Sequence, residues 1–384
     1  MADNMNMREI TIEKFTREIR EEILDDNYNP VIGLGKSGVG KTMSIYELCQ
    51  EYGYGYKEVR LVNMTETDMY GVPVVERDAD GKASTTWAQN SIWPVAEKDG
   101  DVGILVLDEI TSCTRTVRAA AFQLLDSKRA LGNYKLPDHW KIVCLGNAEG
   151  DGGVYNGIEL AVLNRCTSYR IVPDLTSWKN WAIKNGLNSS VIAYLSFDPA
   201  EIHNFKSEED VEVFPSPRSW HNLATKLSKR EERANGLLDG EDVEFYAAGL
   251  VGERTASKFA AFYAFNKKTI SATDILDGKA PTDISGFETE TMYLIIQGLI
   301  KEMVSVIKTN GINSSNINSE KGKPVVNAVN WLVDISKCKL DMSIKGIRDL
   351  AHGCPEFHLI ATGPQFDIAC PKFIEFCMQN RVVA

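Results

Sequence analysis

A glycine-rich octapeptide near the N-terminus limits the folds open to this chain more than any other feature. Residues 35–42 read Gly-Lys-Ser-Gly-Val-Gly-Lys-Thr and fit G-x-x-x-x-G-K-[ST], the pattern of a phosphate-binding loop. A short apolar run precedes the loop at residues 31–34, and a predicted helix follows it at 43–52. Glycines let the backbone curl so that its N–H groups converge on phosphate oxygens, and the helix N-terminus adds positive partial charge. The sequence therefore predicts a strand, a phosphate loop and a helix in succession.

The residue types in this stretch predict separate tasks. Lys41 is expected to reach the β- and γ-phosphates of a nucleotide, and Thr42 is expected to offer its hydroxyl to Mg²⁺. The whole loop and the first residue after it are expected to surround the phosphates: Gly35, Lys36, Ser37, Gly38, Val39, Gly40, Lys41, Thr42 and Met43.

The same glycines also fit a second pattern. Residues 33–38 match G-x-G-x-x-G, the dinucleotide-binding fingerprint, which requires an acidic residue roughly 20 positions on, at the end of the next strand. The next candidate strand, residues 57–64, has Asn63 near its end, and Glu66 lies in the turn beyond. Because this fit is poor and leaves Lys41 unexplained, we favour the phosphate loop.

Length and composition set the wider limits. A chain of 384 residues exceeds one typical core, so two or three domains are expected. A net charge of −11 disfavours a broad nucleic-acid surface. Neither an apolar signal core nor a run of transmembrane length is present, so we expect a soluble cytoplasmic protein. The eight cysteines show no C-x-x-C spacing and are predicted to be reduced thiols rather than zinc ligands.

A second motif lies further along the chain, after the candidate strand at residues 57–64. Residues 103–107 are a nearly continuous apolar run, typical of a strand buried on both faces of a parallel sheet, and two carboxylates end it. Parallel sheets bind ligands at the carboxyl ends of their strands. Asp108 is therefore predicted to hold Mg²⁺, directly or through water, and Glu109 to orient and polarise an attacking water.

Other segments add to this outline. A buried strand at residues 140–145 leads to Asn147, which would lie at the same sheet edge and could hydrogen-bond the γ-phosphate or the water. Turn signals predict hairpins at 71–87 and 131–136, the first being either an ordinary surface hairpin or a substrate loop. Residues 8–25 are predicted to form a helix, and the polar spacer 310–323 a mobile loop.

In this order the motifs resemble those of AAA+ ATPases, and within them the MoxR-like branch with its helix-2 insertion. The resemblance covers roughly residues 28–265, with Walker A at 35–42 and Walker B at 104–109. The 71–87 hairpin stands where that branch has its insertion, and the 131–136 hairpin where it has the pre-sensor-1 hairpin. Asn147 resembles sensor 1, Arg165 the arginine finger and Arg218 the sensor-2 arginine.

The resemblance implies an α/β fold with three parts. Residues 1–173 would form an αβα core around a parallel sheet of order 5-1-4-3-2, residues 174–265 an all-α lid, and residues 266–384 a mostly helical C-terminal extension of unknown role. ATP and Mg²⁺ would be the cofactors. Arg218 would contact the nucleotide of its own subunit, whereas Arg165 would reach the γ-phosphate of the neighbour in a homo-oligomeric, hexameric ring. Arg170 is the reserve candidate for the finger.

Three functions remain open on these grounds. The first is an ATP-driven motor that remodels a protein partner, which the resemblance implies could carry a von Willebrand factor A domain. The second is a nucleic-acid motor of a restriction or defence system, which the net charge disfavours. The third is a nucleotide-gated scaffold, against which the intact Lys41, Asp108 and Glu109 argue. The absence of Asn-Lys-x-Asp favours ATP over GTP.

Overall fold

A computed structural model describes residues 7–77, 79–88, 90–151, 155–205 and 213–382. The chain divides into two compact units, Met1–Pro173 and Asp174–Ala384. The eight cysteines all lie in the described ranges and none forms a disulfide, as the sequence predicts. Within the same ranges, no helix combines the length and the apolar character that crossing a bilayer requires.

The first unit contains ten strands and six α-helices in its described ranges. The strands are β1 (Arg8–Ile10), β2 (Val31–Gly35), β3 (Gly55–Arg60), β4 (Val72–Arg77), β5 (Ala83–Ala88), β6 (Gly103–Asp108), β7 (Ala130–Leu131), β8 (Tyr134–Lys135), β9 (Trp140–Gly146) and β10 (Thr167–Ile171). The helices are α1 (Ile12–Leu24), α2 (Lys41–Tyr52), α3 (Glu66–Tyr70), α4 (Ala96–Asp99), α5 (Arg115–Leu124) and α6 (Leu160–Leu163).

Six of these strands form one parallel sheet in the order β1-β10-β2-β9-β6-β3. Without β1, and with the core strands counted along the chain, this order is 5-1-4-3-2, which confirms the predicted fold class. Strands β2, β6 and β9 are buried along their whole length. Apolar side chains of α1 and α2 pack on one face of the sheet and those of α5 on the other, so the unit is an αβα sandwich.

Strand β1 replaces the first turn of the helix predicted over residues 8–25. Ile10 and Ile12 fit helical spacing, but Thr11 has an extended backbone and its hydroxyl accepts the Lys14 N–H at 3.3 Å. This N-cap starts α1 at Ile12, so residues 8–10 are free to pair with β10.

Strand β3 begins earlier than the sequence predicts. The predicted strand covers 57–64, whereas the observed one is Gly55–Arg60 and a 3₁₀ turn at Leu61–Asn63 follows it. A Cβ at Gly55 would lie 2.2 Å from the Asp99 carbonyl oxygen, so only glycine fits this close approach. Gly55, a residue type that usually weakens a strand, is therefore the first residue of β3.

The second unit is helical throughout its described part. Its α-helices are α7 (Leu175–Lys184), α8 (Ser189–Phe197), α9 (Pro217–Ala234), α10 (Gly240–Val251), α11 (Glu253–Tyr263), α12 (Ala272–Leu276), α13 (Thr289–Asn310), α14 (Lys323–Asp334), α15 (Leu340–Gly353), α16 (Pro355–Ala361), α17 (Pro364–Ala369) and α18 (Pro371–Asn380). One hydrophobic core includes residues from both 174–265 and 266–384, among them the buried Trp178 and Trp220. The division of this unit into a lid and an extension stays a prediction.

The spacer at 310–323 is a packed loop, and the prediction of a mobile segment is wrong. Ile312 and Ile317 are only 5% and 0% exposed, because they insert into the core of the second unit. The polar residues between them bond locally, with the Asn313 side chain accepting the N–H groups of Ser315 at 2.9 Å and Asn316 at 3.2 Å. Two buried isoleucines thus outweigh the polar composition of the segment.

Candidate functional site

The loop between β2 and α2 has the backbone that its glycines predict. Gly38 and Gly40 have φ angles of 78° and 98°, in the region that favours glycine, and Gly40 caps the N-terminus of α2. A Cβ at Gly35 would lie 2.3 Å from the Ile171 carbonyl oxygen on the neighbouring strand. The loop therefore wraps around the first N–H groups of α2, which is the geometry of a phosphate cradle.

Lys41 lies inside this loop and contacts three oxygens. Its Nζ donates to the carbonyl oxygens of Gly35 at 2.6 Å and Lys36 at 3.0 Å, and to Oδ1 of Asn147 at 3.3 Å. The structure thus brings together two predicted site residues that are 106 positions apart. They meet because β2 and β9 are neighbouring parallel strands, paired from Val31 to Leu34.

Thr42 and Asp108 also meet across the sheet edge. The Thr42 hydroxyl donates to Oδ2 of Asp108 at 3.0 Å, and Asp108 is 7% exposed. Burial raises the pKa of the Asp108 carboxyl, while the bonds from Thr42 and from the Glu109 N–H oppose that rise.

This pair fits Mg²⁺ by its donor chemistry. A hydroxyl and a carboxylate are oxygen ligands, and Mg²⁺ in phosphate sites commonly takes one or two protein ligands, with water and phosphate oxygens completing the octahedron. In the ranges that the structure describes, no group of three His, Cys, Asp or Glu side chains could form an all-protein metal cage. Thr42 and Asp108 would therefore hold the ion together with the nucleotide.

Glu109 follows β6 directly and has a left-handed backbone, with φ of 58°. Its N–H donates to Oδ1 of Asp108 at 2.9 Å, and its Oε2 accepts the Ser112 hydroxyl at 3.1 Å. The strand ends at Asp108, and after the left-handed residue the Ile110 N–H still donates to the Leu145 carbonyl of β9 at 3.0 Å. Asp108 and Glu109 thus keep distinct positions although they are adjacent in sequence.

Two hydroxyl residues after Glu109 complete the site, and the sequence reasoning missed both. Thr111 is fully buried, and its Oγ1 accepts the Asn147 N–H at 3.1 Å. A Cβ at Gly146 would lie 2.7 Å from that Oγ1, so the strand end packs tightly against the turn. Ser112 bonds Glu109 as described. Hydroxyl residues after strands are common turn formers, so no pattern in the sequence singles them out.

The two arginines considered for the finger have different surroundings. Arg165 has a side chain 43% exposed and pairs with the exposed Asp126 at 3.3 Å. Arg170 lies in β10 and donates to Oδ2 of Asp151 at 2.7 Å, and the Asp151 side chain is only 2% exposed. Arg170 therefore anchors the chain that follows Asn147, whereas Arg165 projects from the surface.

Arg218 belongs to the second unit. It is exposed in the first turn of α9. Ser216 caps this helix by accepting the Ser219 N–H at 3.2 Å. Lys41 and Asn147 belong to the first unit and Arg218 to the second, so the sensor-2 role of Arg218 stays a prediction.

Both predicted hairpins are present. Strands β4 and β5 pair from Val72–Ala88 to Arg77–Ala83, and their valines and tryptophan are exposed, including Val75 at 68% and Trp87 at 39%. Strands β7 and β8 form the second hairpin, whose turn residue Asn133 donates to the Thr86 hydroxyl at 2.7 Å. The two hairpins therefore lie side by side.

Comparisons with known proteins give a limited result. No protein-family model matches the sequence, and no curated protein matches it. Among solved structures, a presumed ATPase from Cytophaga hutchinsonii is 11% identical, with 89% of this chain and 82% of that chain covered and a TM-score of 0.30. A mutant of RuvB from Thermotoga maritima is also 11% identical, with 84% and 92% covered and a TM-score of 0.36.

The fold class comes from the chain itself rather than from these distant likenesses. The parallel order 5-1-4-3-2, the loop before α2 and the carboxylates at the end of β6 define an αβα domain with a phosphate loop, and a helical unit follows it along the chain.

Proposed function

We propose that this protein is a Mg²⁺-dependent ATPase of the AAA+ class that assembles into a ring and remodels a protein partner. The observation that carries the proposal is the convergence of Lys41, Thr42, Asp108 and Asn147 at one sheet edge, through bonds of 3.0–3.3 Å. Phosphoryl transfer needs mainly positioning and charge stabilisation, which such a set supplies.

Each of these residues has a task in that reaction. The N–H groups of the loop and the start of α2 hold the phosphates, and Lys41 exchanges its carbonyl partners for phosphate oxygens. Bound Mg²⁺ would neutralise charge on the β- and γ-phosphate oxygens. Glu109 orients the attacking water and accepts its proton, and Asn147 fixes the water or the γ-phosphate by a hydrogen bond.

The ring proposal rests on Arg165. The exposure of Arg165 and of its ion-pair partner Asp126, at 43% and 58%, supports a side chain that can leave its own subunit and reach a neighbour's γ-phosphate. Arg170 is the weaker candidate because Asp151 holds it. We propose a hexamer, with Arg218 acting on the nucleotide of its own subunit.

Mixing two inactive variants tests the shared site. Arg165→Ala is expected to lower the ATPase rate about 10³-fold, the low end of the range for arginine fingers. A Lys41→Ala subunit keeps Arg165, so adding it should restore part of the activity of Arg165→Ala subunits. Arg17→Ala, which changes an exposed arginine of α1, serves as the control and should keep the wild-type rate.

The measurement is the steady-state rate as a function of the mixing ratio, which should pass through a maximum. No rescue at any ratio contradicts a finger acting in trans. An Arg165→Ala rate equal to that of the control would move the finger to another residue, with Arg170 the first to examine.

The partner proposal rests on the paired hairpins. Exposed Val72, Val75 and Trp87 present an apolar surface that suits contact with a polypeptide, and Asn133 links it to the second hairpin. A pull-down from the native host with a hydrolysis-deficient variant, read by mass spectrometry, tests it. Enrichment of a protein bearing a von Willebrand factor A domain would support this function, whereas enrichment of nucleic acid or a nuclease would favour the alternative motor.

A further inference from the structure

We propose that Ser112 is a positioning residue for Glu109, holding the carboxylate in the orientation that the attacking water requires. The inference rests on the proposed ATPase function and adds a residue to its site. Ser112 Oγ donates to Oε2 of Glu109 at 3.1 Å. In the described part of the chain, this is the one hydrogen bond that the Glu109 carboxylate makes with another side chain.

The local backbone sets this contact. With φ of 58° at Glu109, the chain folds back at once, and the Glu109 carbonyl accepts the N–H groups of Ser112 at 3.0 Å and Cys113 at 3.2 Å. This tight turn places the residue three positions on beside the glutamate side chain. A hydroxyl at position 112 therefore meets the carboxylate through the local geometry of this turn.

The turn does not depend on the Ser112 hydroxyl for its shape. Asn156 Nδ2 donates to the carbonyl oxygens of Ser112 at 3.1 Å and Cys113 at 3.2 Å. Thr111 is fixed from both sides, because its hydroxyl accepts the Asn147 N–H and its carbonyl accepts the Asn156 N–H at 2.8 Å. Removal of the hydroxyl thus leaves these backbone anchors in place and takes away a donor to the Glu109 side chain.

This freedom matters because a general base acts only within hydrogen-bond reach of the proton it takes. A glutamate has three side-chain torsions, and a donor on one carboxylate oxygen selects among their combinations. When the Ser112 hydroxyl donates to Oε2 of Glu109, the orientation of the carboxylate is set, and Oε1 can face the attacking water. Without the donor, the carboxylate samples orientations in which neither oxygen meets the water.

The test compares Ser112→Ala with Ser112→Thr in the full-length protein. We expect Ser112→Ala to lower kcat for ATP about tenfold while KM, ATP affinity and Tm stay near wild type, and Ser112→Thr to keep most of kcat because it retains the hydroxyl. A purely structural role predicts a lower Tm and weaker ATP binding together with the lower rate. Unchanged kcat in Ser112→Ala, or equal losses in both variants, would overturn the proposal.

A double-mutant cycle with Glu109→Asp adds an independent readout. The shorter aspartate cannot keep the same contact with Ser112, so Ser112→Ala should have no further effect on kcat in that background. A full tenfold loss there would show that Ser112 acts through something other than Glu109 and would overturn the proposal. Wild-type protein without ATP turnover would contradict the proposed function and this inference together, whereas normal wild-type turnover with an unaffected Ser112→Ala contradicts the inference alone.

Discussion

Lys41→Ala is expected to abolish ATP binding, with Kd rising at least about 100-fold, which corresponds to about 2.7 kcal/mol. The reason is that Lys41 Nζ lies inside the loop, against the Gly35 and Lys36 carbonyls and the Asn147 amide. These contacts hold the ammonium group of Lys41 within the loop that is proposed to bind the phosphates of ATP. Loss of that ammonium group removes a charge-assisted hydrogen bond to the phosphates of ATP.

Isothermal titration with ATP and Mg²⁺ measures this effect. Lys14→Ala provides the control, since Lys14 is an exposed lysine of α1, and its Kd should equal that of the wild type. Thermal unfolding should show Tm values close together for all three proteins, because Lys41 is partly exposed and water can take the place of its ammonium group. Tight ATP binding by Lys41→Ala would refute the phosphate-loop assignment.

Glu109→Gln is expected to separate ATP binding from hydrolysis. The glutamine has the shape of the glutamate and its amide oxygen can still accept the Ser112 hydroxyl, so the turn should be preserved. It lacks the basic carboxylate, and kcat should fall about 10²- to 10⁴-fold, the usual share of general acid–base catalysis. ATP affinity should remain within about threefold of wild type, because Lys41 and the Thr42–Asp108 pair are unchanged.

Single-turnover hydrolysis and equilibrium binding, measured on the same preparation, distinguish these outcomes. Glu97→Gln, at an exposed position in α4, controls for the loss of one carboxylate and should hydrolyse ATP normally. Normal hydrolysis by Glu109→Gln would place the base elsewhere. If ATP binding were lost as well, Glu109 would have a structural role and not the catalytic one proposed for it.

How well the sequence predicts this structure depends on how local each interaction is. The phosphate loop and the Asp108–Glu109 pair each lie within a few residues, and their surrounding strands are strongly apolar, so their local geometry could be read directly. The approach of Asn147 to Lys41 needed one further assumption, namely that β2 and β9 are parallel neighbours. The resemblance to AAA+ proteins supplied that strand order, and the sheet confirms it.

The features that the sequence did not predict depend on contacts between distant segments. Gly55 begins β3 because Asp99 and Trp140 crowd it, and neither neighbour can be inferred from the local pattern. Ile317 turns a polar spacer into part of the core of the second unit. Thr111 has a role only because the Asn147 N–H reaches it. In each case the residue type is compatible with several local structures, and a contact with a residue distant in sequence selects one of them.

Helix α5 joins the nucleotide site to the exposed hairpins. The turn that holds Thr111 and Ser112 leads into α5, whose ten residues span about 15 Å. Near its other end, Gln123 donates to the Tyr70 hydroxyl at 2.7 Å, and the Tyr70 ring lies 6.0 Å from that of Trp87 in β5. Helix α5 can therefore link the two regions rigidly, because its length and its rotation about its own axis are fixed. One residue added within it would rotate Gln123 by about 100° away from Tyr70, so this helix should tolerate substitution on its exposed face far better than insertion or deletion.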